Sequence, residues 1–250
     1  MSNMAFAGII VAVLGVGAAV AIPNLVAPKG GHNETGAIAT LRNLASAQAQ
    51  FQSSGRCDLD GDRIGEFGTF GEMTATDGLR AGPAGANRGG VLDRAVLSAA
   101  LAAVDENGVV WKSGYAFRIF LPGAKEGAVH EGKATAWSGG GCPKVVKDPA
   151  PPTLVPGSAF SGPVDVNGTE RRWCAYGWPV AHGNSGNRTF FVDEGGDVWV
   201  TANKDGRYSG VAAGPAWDAA MPADGRQGWS AAPRAAEHRG RDGNLWKRTN

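Results

Sequence analysis

Residues 4–26 read Met4-Ala5-Phe6-Ala7-Gly8-Ile9-Ile10-Val11-Ala12-Val13-Leu14-Gly15-Val16-Gly17-Ala18-Ala19-Val20-Ala21-Ile22-Pro23-Asn24-Leu25-Val26, an apolar run whose only polar side chain is Asn24. At ~1.5 Å per residue such a helix reaches roughly 34 Å, enough to cross a hydrocarbon core of about 30 Å with modest tilt. A cleaved signal peptide carries a basic leader and an apolar stretch of about 7–15 residues. No Lys or Arg precedes this run and it is longer, so we read it as a retained helix. The sequence thus divides into a membrane or filament-core helix over 1–28, a globular domain over 29–221 and an irregular tail over 222–250. With no basic residue ahead of the run, and Lys29 and Arg42 behind it, charge gives almost no orientation.

Past the run, Pro28-Lys29-Gly30-Gly31 marks a break. A helix is then predicted over Asn33–Gln52, capped by Asn33 or Thr35, with Ile38, Leu41, Leu44, Ala45, Gln48 and Phe51 on one stripe and Gly55 ending it. A second short helix is predicted over Val91–Val104. Strands are predicted over Val109–Leu121 in two pieces around Gly114, over Arg171–Val180, and as a hairpin of Arg188–Val192 with Asp197–Thr201 around Glu194-Gly195-Gly196. Tyr115, Phe117, Ile119 and Leu121 alternate with Ala116 and Arg118, which predicts a sheet with one core face. Gly132–Ser138 is a further short strand candidate, and Pro143–Pro163 is proline-rich without periodicity.

A net charge of +1 with 19% charged residues argues against nucleic-acid binding. The 39 glycines and 14 prolines call for many turns around a modest core. No catalytic motif is present. Gly183-Asn184-Ser185-Gly186-Asn187 lacks the last glycine of a nucleophile elbow, there is no P-loop, and His32, His130, His182 and His238 are scattered singly, as expected of surface loop residues. We therefore expect no enzyme activity.

Cys57-Asp58-Leu59-Asp60-Gly61-Asp62-Arg63-Ile64-Gly65-Glu66 places carboxylates of Asp58, Asp60, Asp62 and Glu66 at places 1, 3, 5 and 9 of an EF-hand-like loop, with the Ile64 carbonyl at place 7. Arg63 stands where that loop has glycine, and Thr69 where it has its bidentate glutamate; Glu72 lies three residues further on. Two readings stand: a structural calcium site, or a solvated acidic turn. The cysteines Cys57, Cys142 and Cys174 show no zinc spacing. In an oxidising compartment, a Cys142–Cys174 bridge would close the proline-rich loop with roughly 3–4 kcal/mol of stabilisation in the chain-entropy model. Cys57–Cys142 is the other pairing, and three reduced thiols the remaining reading. Trp111, Trp137, Trp173, Trp178 and Trp199 fall on or near predicted strands, whereas Trp217, Trp229 and Trp246 fall late, where they either wrap back onto the sheet or face a partner or sugar ligand.

Val11–Asn24, with its mid-helix glycine and closing Ala-Ile-Pro-Asn, resembles the N-terminal helix of type IV pilins and type II secretion pseudopilins, and Gly186–Asp193 is similar to a late hairpin strand of some pilin-like proteins. The resemblance implies an α+β fold: a long N-terminal helix, apolar then amphipathic, packed on an antiparallel β-sheet. It implies a structural subunit of an extracytoplasmic filament or secretion pseudopilus, at the cell surface or in the periplasm. Its partners would be other copies or other pilin-like subunits, met in the membrane and fibre through Phe6, Gly8, Val11, Leu14, Gly15, Ile22 and Pro23. Phe6 stands where pilins carry a glutamate that neutralises a neighbour's terminal amine, so weak self-assembly or partner-driven assembly is expected. The alternative is a membrane-anchored extracytoplasmic module that binds carbohydrate or protein, with the helix as a tether.

Overall fold

The computed structural model describes residues 29–80, 90–124, 127–132 and 161–249, apart from 225, 227, 232 and 234. Helix α1 (Lys29–Ser53) presents Ala37, Leu41, Leu44, Gln48 and Phe51, all buried, along one stripe. It starts four residues before the expected Asn33. Neither Asn33 nor Thr35 caps it; both lie within its first two turns, and the Thr35 hydroxyl donates to the Gly31 carbonyl at 3.1 Å. Gly55, at φ +60°, turns the chain out of the helix.

After the one-turn helix α2 (Phe70–Met73), the sheet begins with β1 (Val110–Lys112) and β2 (Tyr115–Pro122). Ser113 and Gly114 join them with positive φ at both positions, the requirement of a type I′ hairpin turn. Next come β3 (Ala128–Val129), the short helix α3 (Val166–Thr169), β4 (Cys174–Pro179), β5 (Thr189–Asp193), β6 (Val198–Thr201), β7 (Glu237–Arg239) and β8 (Leu245–Arg248). The strands form one antiparallel sheet in the order β1-β2-β4-β5-β6-β8-β7, with β3 paired to the end of β2.

This arrangement overturns the expected long helix packed on a sheet. Among the described residues there is one sizeable helix and an eight-stranded sheet that dominates the fold. The physical reason is that every residue of β2, β4 and β5 is buried, so the sheet is an internal layer and one helix cannot cover it. On one face Tyr115, Phe117, Ile119, Ala175, Phe190 and Val192 meet Leu41, Leu44 and Phe51 of α1. On the other, Ala116, Phe120, Tyr176, Trp178, Phe191 and Trp199 meet Trp217, Met221 and Trp246. Arg118, expected to face solvent, is buried with its guanidinium 5.8 Å from the Phe120 ring centre and 5.7 Å from that of Trp178.

Two further expectations are corrected. The tail over 222–250 is not irregular throughout, because β7 and β8 close into a hairpin that extends the sheet beyond β6, with Trp199 opposite Arg248. The predicted helix over Val91–Val104 is reduced to a 3-10 turn at Ala99–Leu101. There the Val96 and Leu97 N–H groups donate to the Met73 carbonyl at 2.9 and 3.0 Å, a tertiary partner that replaces helical bonds.

Gly177 on β4 is a tight point between the sheet and α1. A Cβ there would lie 2.9 Å from the Phe117 ring and 3.7 Å from Leu41. Gly177→Val is expected to destabilise the protein by about 1–3 kcal/mol through overpacking, read as a lowered thermal midpoint.

Candidate functional site

The acidic loop leaves α1 and curls on its own backbone. Asp58 accepts from the Gly61 and Arg63 N–H groups at 2.7 and 3.1 Å, Asp60 from Asp62 at 3.2 Å, and Asp62 from Ile64 at 2.7 Å. Arg63 adopts φ +75°, the left-handed conformation that glycine supplies in an EF-hand loop. The outcome is a group of three carboxylates whose ligand atoms lie within 4.8 Å of one another.

Glu66 is not part of that group. It is fully buried, accepts from Leu59 N–H at 2.8 Å, and burial pushes its carboxyl up to about 7. Ile64 contributes its N–H to Asp62, and its side chain is 47% exposed. Glu72 is likewise taken out of reach. It closes a capping box with Thr69 on α2 and forms a fully buried ion pair with Arg80 at 2.9 Å. The predicted set of Asp58, Asp60, Asp62, Ile64 and Glu66 is therefore split, its three aspartates outside and its glutamate in the core.

Sequence reading also missed a second buried carboxylate. Glu170, directly after α3, is 3% exposed, and its Oε1 has no hydrogen-bond partner. Burial first, then the negative charges of Asp62, Asp60 and Asp58, pushes its carboxyl up, opposed by the Arg171 guanidinium. The backbone holds it there: Gln52 Nε2 donates to the Glu170 carbonyl at 2.7 Å, and Phe67 N–H to the Thr169 carbonyl at 2.8 Å. No local motif marks Glu170, which lies more than a hundred residues from the acidic loop along the chain.

A second polar cluster fixes the start of α1. Glu34 Oε1 accepts from the Asn187 and Arg188 N–H groups at 2.9 and 3.1 Å, and its Oε2 from Arg188 Nε at 2.7 Å. Burial opposes ionisation of Glu34, but these bonds and the Arg188 charge outweigh it and hold its carboxylate below the usual range. Asn33 Nδ2 donates to the Ser185 carbonyl at 2.9 Å. The loop that failed as a nucleophile elbow is thus the docking point of the helix.

The late tryptophans wrap back. Trp217 is 4% exposed and stacks on Trp229 with ring centres 4.8 Å apart, while Trp246 is fully buried against Tyr176 and Phe191. Two histidines depart from the expected surface loops. His130 is buried edge-on to Phe120, where burial pushes its ring down to about 4. His238 sits on β7, with Nε2 2.6 Å from the Ala220 carbonyl. Cys57 and Cys174 are buried free thiols, against the expected Cys142–Cys174 bridge; Cys142 lies outside the described residues. So do Phe6, Gly8, Val11, Leu14, Gly15, Ile22 and Pro23. Among the described residues, no helix is long and apolar enough to cross a membrane. Comparison with family models, curated proteins and solved structures gives no match.

The buried carboxyls make stability fall with pH. Glu131 accepts from the Phe70 and Gly71 N–H groups at 3.0 Å each, yet burial pushes its carboxyl up to about 8, aided by the charges of Glu72 and Asp77. Burial likewise pushes Asp193 up to about 7. A raised carboxyl binds its proton more tightly in the folded state, so its contribution is complete below the unfolded value near 4.5 and is lost as pH rises through about 8. His130 acts in the opposite sense, but only between about 4 and 6.5. From pH 6.5 to 8.5 unfolding free energy is expected to fall by about 1–2 kcal/mol, and Glu131→Gln to flatten that slope while lowering stability overall, both measured by denaturant titration.

Proposed function

We propose that this chain is a structural subunit of an extracytoplasmic, pilin-like filament or secretion pseudopilus, held in the membrane before assembly and entering the fibre through its apolar N-terminal segment. It performs no reaction of its own. The observation that carries this reading is the joint at the start of α1. The apolar run ends at Val26, α1 begins at Lys29, and by Glu34 the helix is fastened to the entry of β5.

A filament subunit needs its globular domain held in one orientation relative to the segment buried in the fibre, because each copy must repeat its neighbour's contacts. A tether has no such requirement. The Glu34–Arg188 pair and the Asn33–Ser185 bond fasten the helix at two adjacent positions near its start. Within the apolar segment, Gly8, Gly15 and Gly17 allow close helix approach, and Phe6 in place of an acid favours assembly with partner subunits. The binding-module reading loses its main support, since Trp217 and Trp229 are occupied with each other.

Filaments sheared from the source cells test the proposal by mass spectrometry and cryo-electron microscopy. The chain is expected in the filaments with residues 4–26 in the core, and Glu34→Ala is expected to reduce its incorporation several-fold while leaving membrane insertion intact. Recovery in the membrane fraction alone, with the apolar segment replaceable by an unrelated anchor, would establish the tether instead.

A further inference from the structure

We infer that Asp77 and Glu131 form a carboxyl pair that shares one proton, a pH-sensitive clasp holding the turn after α2 against the segment that follows β3. They meet over Gly71. A Cβ on that residue would collide with Asp77 Oδ2 and lie 2.6 Å from Glu131 Oε1, so both oxygens occupy the space beside one Cα. The two carboxyls are hydrogen-bonded to each other. Two ionised carboxylates cannot make that bond, because neither has a hydrogen to donate. One proton therefore belongs to the pair.

The backbone brings the pair together under strain. The Thr76 and Asp77 N–H groups both donate to the Gly71 carbonyl, at 3.0 and 3.1 Å, and the chain returns to that point by passing through Ala75 at φ +58°, a left-handed conformation that alanine disfavours. From the other side, Glu131 is fixed by the Phe70 and Gly71 N–H groups at 3.0 Å each. Burial pushes both carboxyls up, Glu131 to about 8, so the proton is kept through neutral pH. Its loss sets two like charges side by side. Glu131 still has its two amide donors, whereas Asp77 is only partly buried and has solvent to turn to, so Asp77 is the side of the clasp that opens. The further acid acting on both is Glu72, paired with Arg80 at 2.9 Å, with Glu66 and the Cys57 thiol also bearing on Arg80. On the turn packed against Gly132, Asp105 is spent on the Asn107 and Val109 N–H groups and Glu106 is exposed. The His130 ring packs edge-on to Phe120, under the influence of Arg118.

NMR titration of the full chain in detergent from pH 4 to 9, with carbon-13 in its Asp and Glu side chains, tests the pair. In the wild type, Asp77 Cγ and Glu131 Cδ are expected to move together with a common midpoint on the alkaline side of neutrality, and the Phe70 and Gly71 amide protons to move with them. Asp77→Asn gives Glu131 a permanent donor. The midpoint seen at Phe70 and Gly71 is then expected to fall by at least about one pH unit, and the rise in unfolding constant between pH 6.5 and 8.5 to shrink by about tenfold or more. An Asp77 Cγ that titrates completely in acid with no response in the alkaline step, or an unchanged midpoint in Asp77→Asn, would overturn the inference.

Discussion

Two-sided burial of the sheet is the constraint on which the rest depends. β2, β4 and β5 expose no residue on either face, so the chain has to supply two covering layers from what remains. α1 supplies the first with a stripe of Leu and Phe. The second comes from the segment after β6, whose tryptophans provide large apolar area from few residues, each worth about 1.5–3 kcal/mol or more when buried. Tyr176 ties that layer down: its hydroxyl donates to the Trp217 carbonyl at 2.9 Å and accepts from Ala220 N–H at 3.0 Å. A layer with little regular structure thereby has its backbone partners inside the fold.

The same economy governs the polar groups. Glu131 caps α2, Glu72 pairs with Arg80, Gln48 bonds both the N–H and the carbonyl of Gly68 at 2.8 Å, and Glu34 receives the start of β5. Each serves backbone that no helix or ladder satisfies. This is how a glycine-rich chain with long connections keeps its buried amides paired. Buried charge in this set is paired or backbone-bonded, whereas Glu66 and Glu170 each keep one buried carboxylate oxygen without a hydrogen-bond partner.

Asn33 and Glu34 fasten the start of α1 beside β5, and the Leu41 to Phe51 stripe carries the contact with the sheet along the rest of the helix. The residues that resembled a pilin hairpin strand, Gly186–Asp193, include both the Arg188 anchor and the core strand β5, so the resemblance falls on the place where helix and sheet meet.

Local pattern alone determined the elements whose signals are short-range: the α1 stripe, the two strands around Gly114, the Glu194–Gly196 hairpin and the alternating β2. It also determined the clustering of Asp58, Asp60 and Asp62, since side chains two residues apart in a tight loop converge whatever surrounds them. It missed whatever depends on the other side of the molecule. Glu66 read as a ligand from spacing, yet it is buried and bonded to the Leu59 amide, and Glu72 further along is held in the core by Arg80. Arg118 read as a solvent-facing strand position, yet tryptophan and phenylalanine rings enclose it. The tail read as irregular because β7 and β8 are short and carry few apolar residues, and they are strands only because β6 offers them an edge. Glu170 had no signal at all. Tertiary structure decided these because burial and pairing are properties of what lies opposite a residue, and nothing in its neighbours along the chain encodes that.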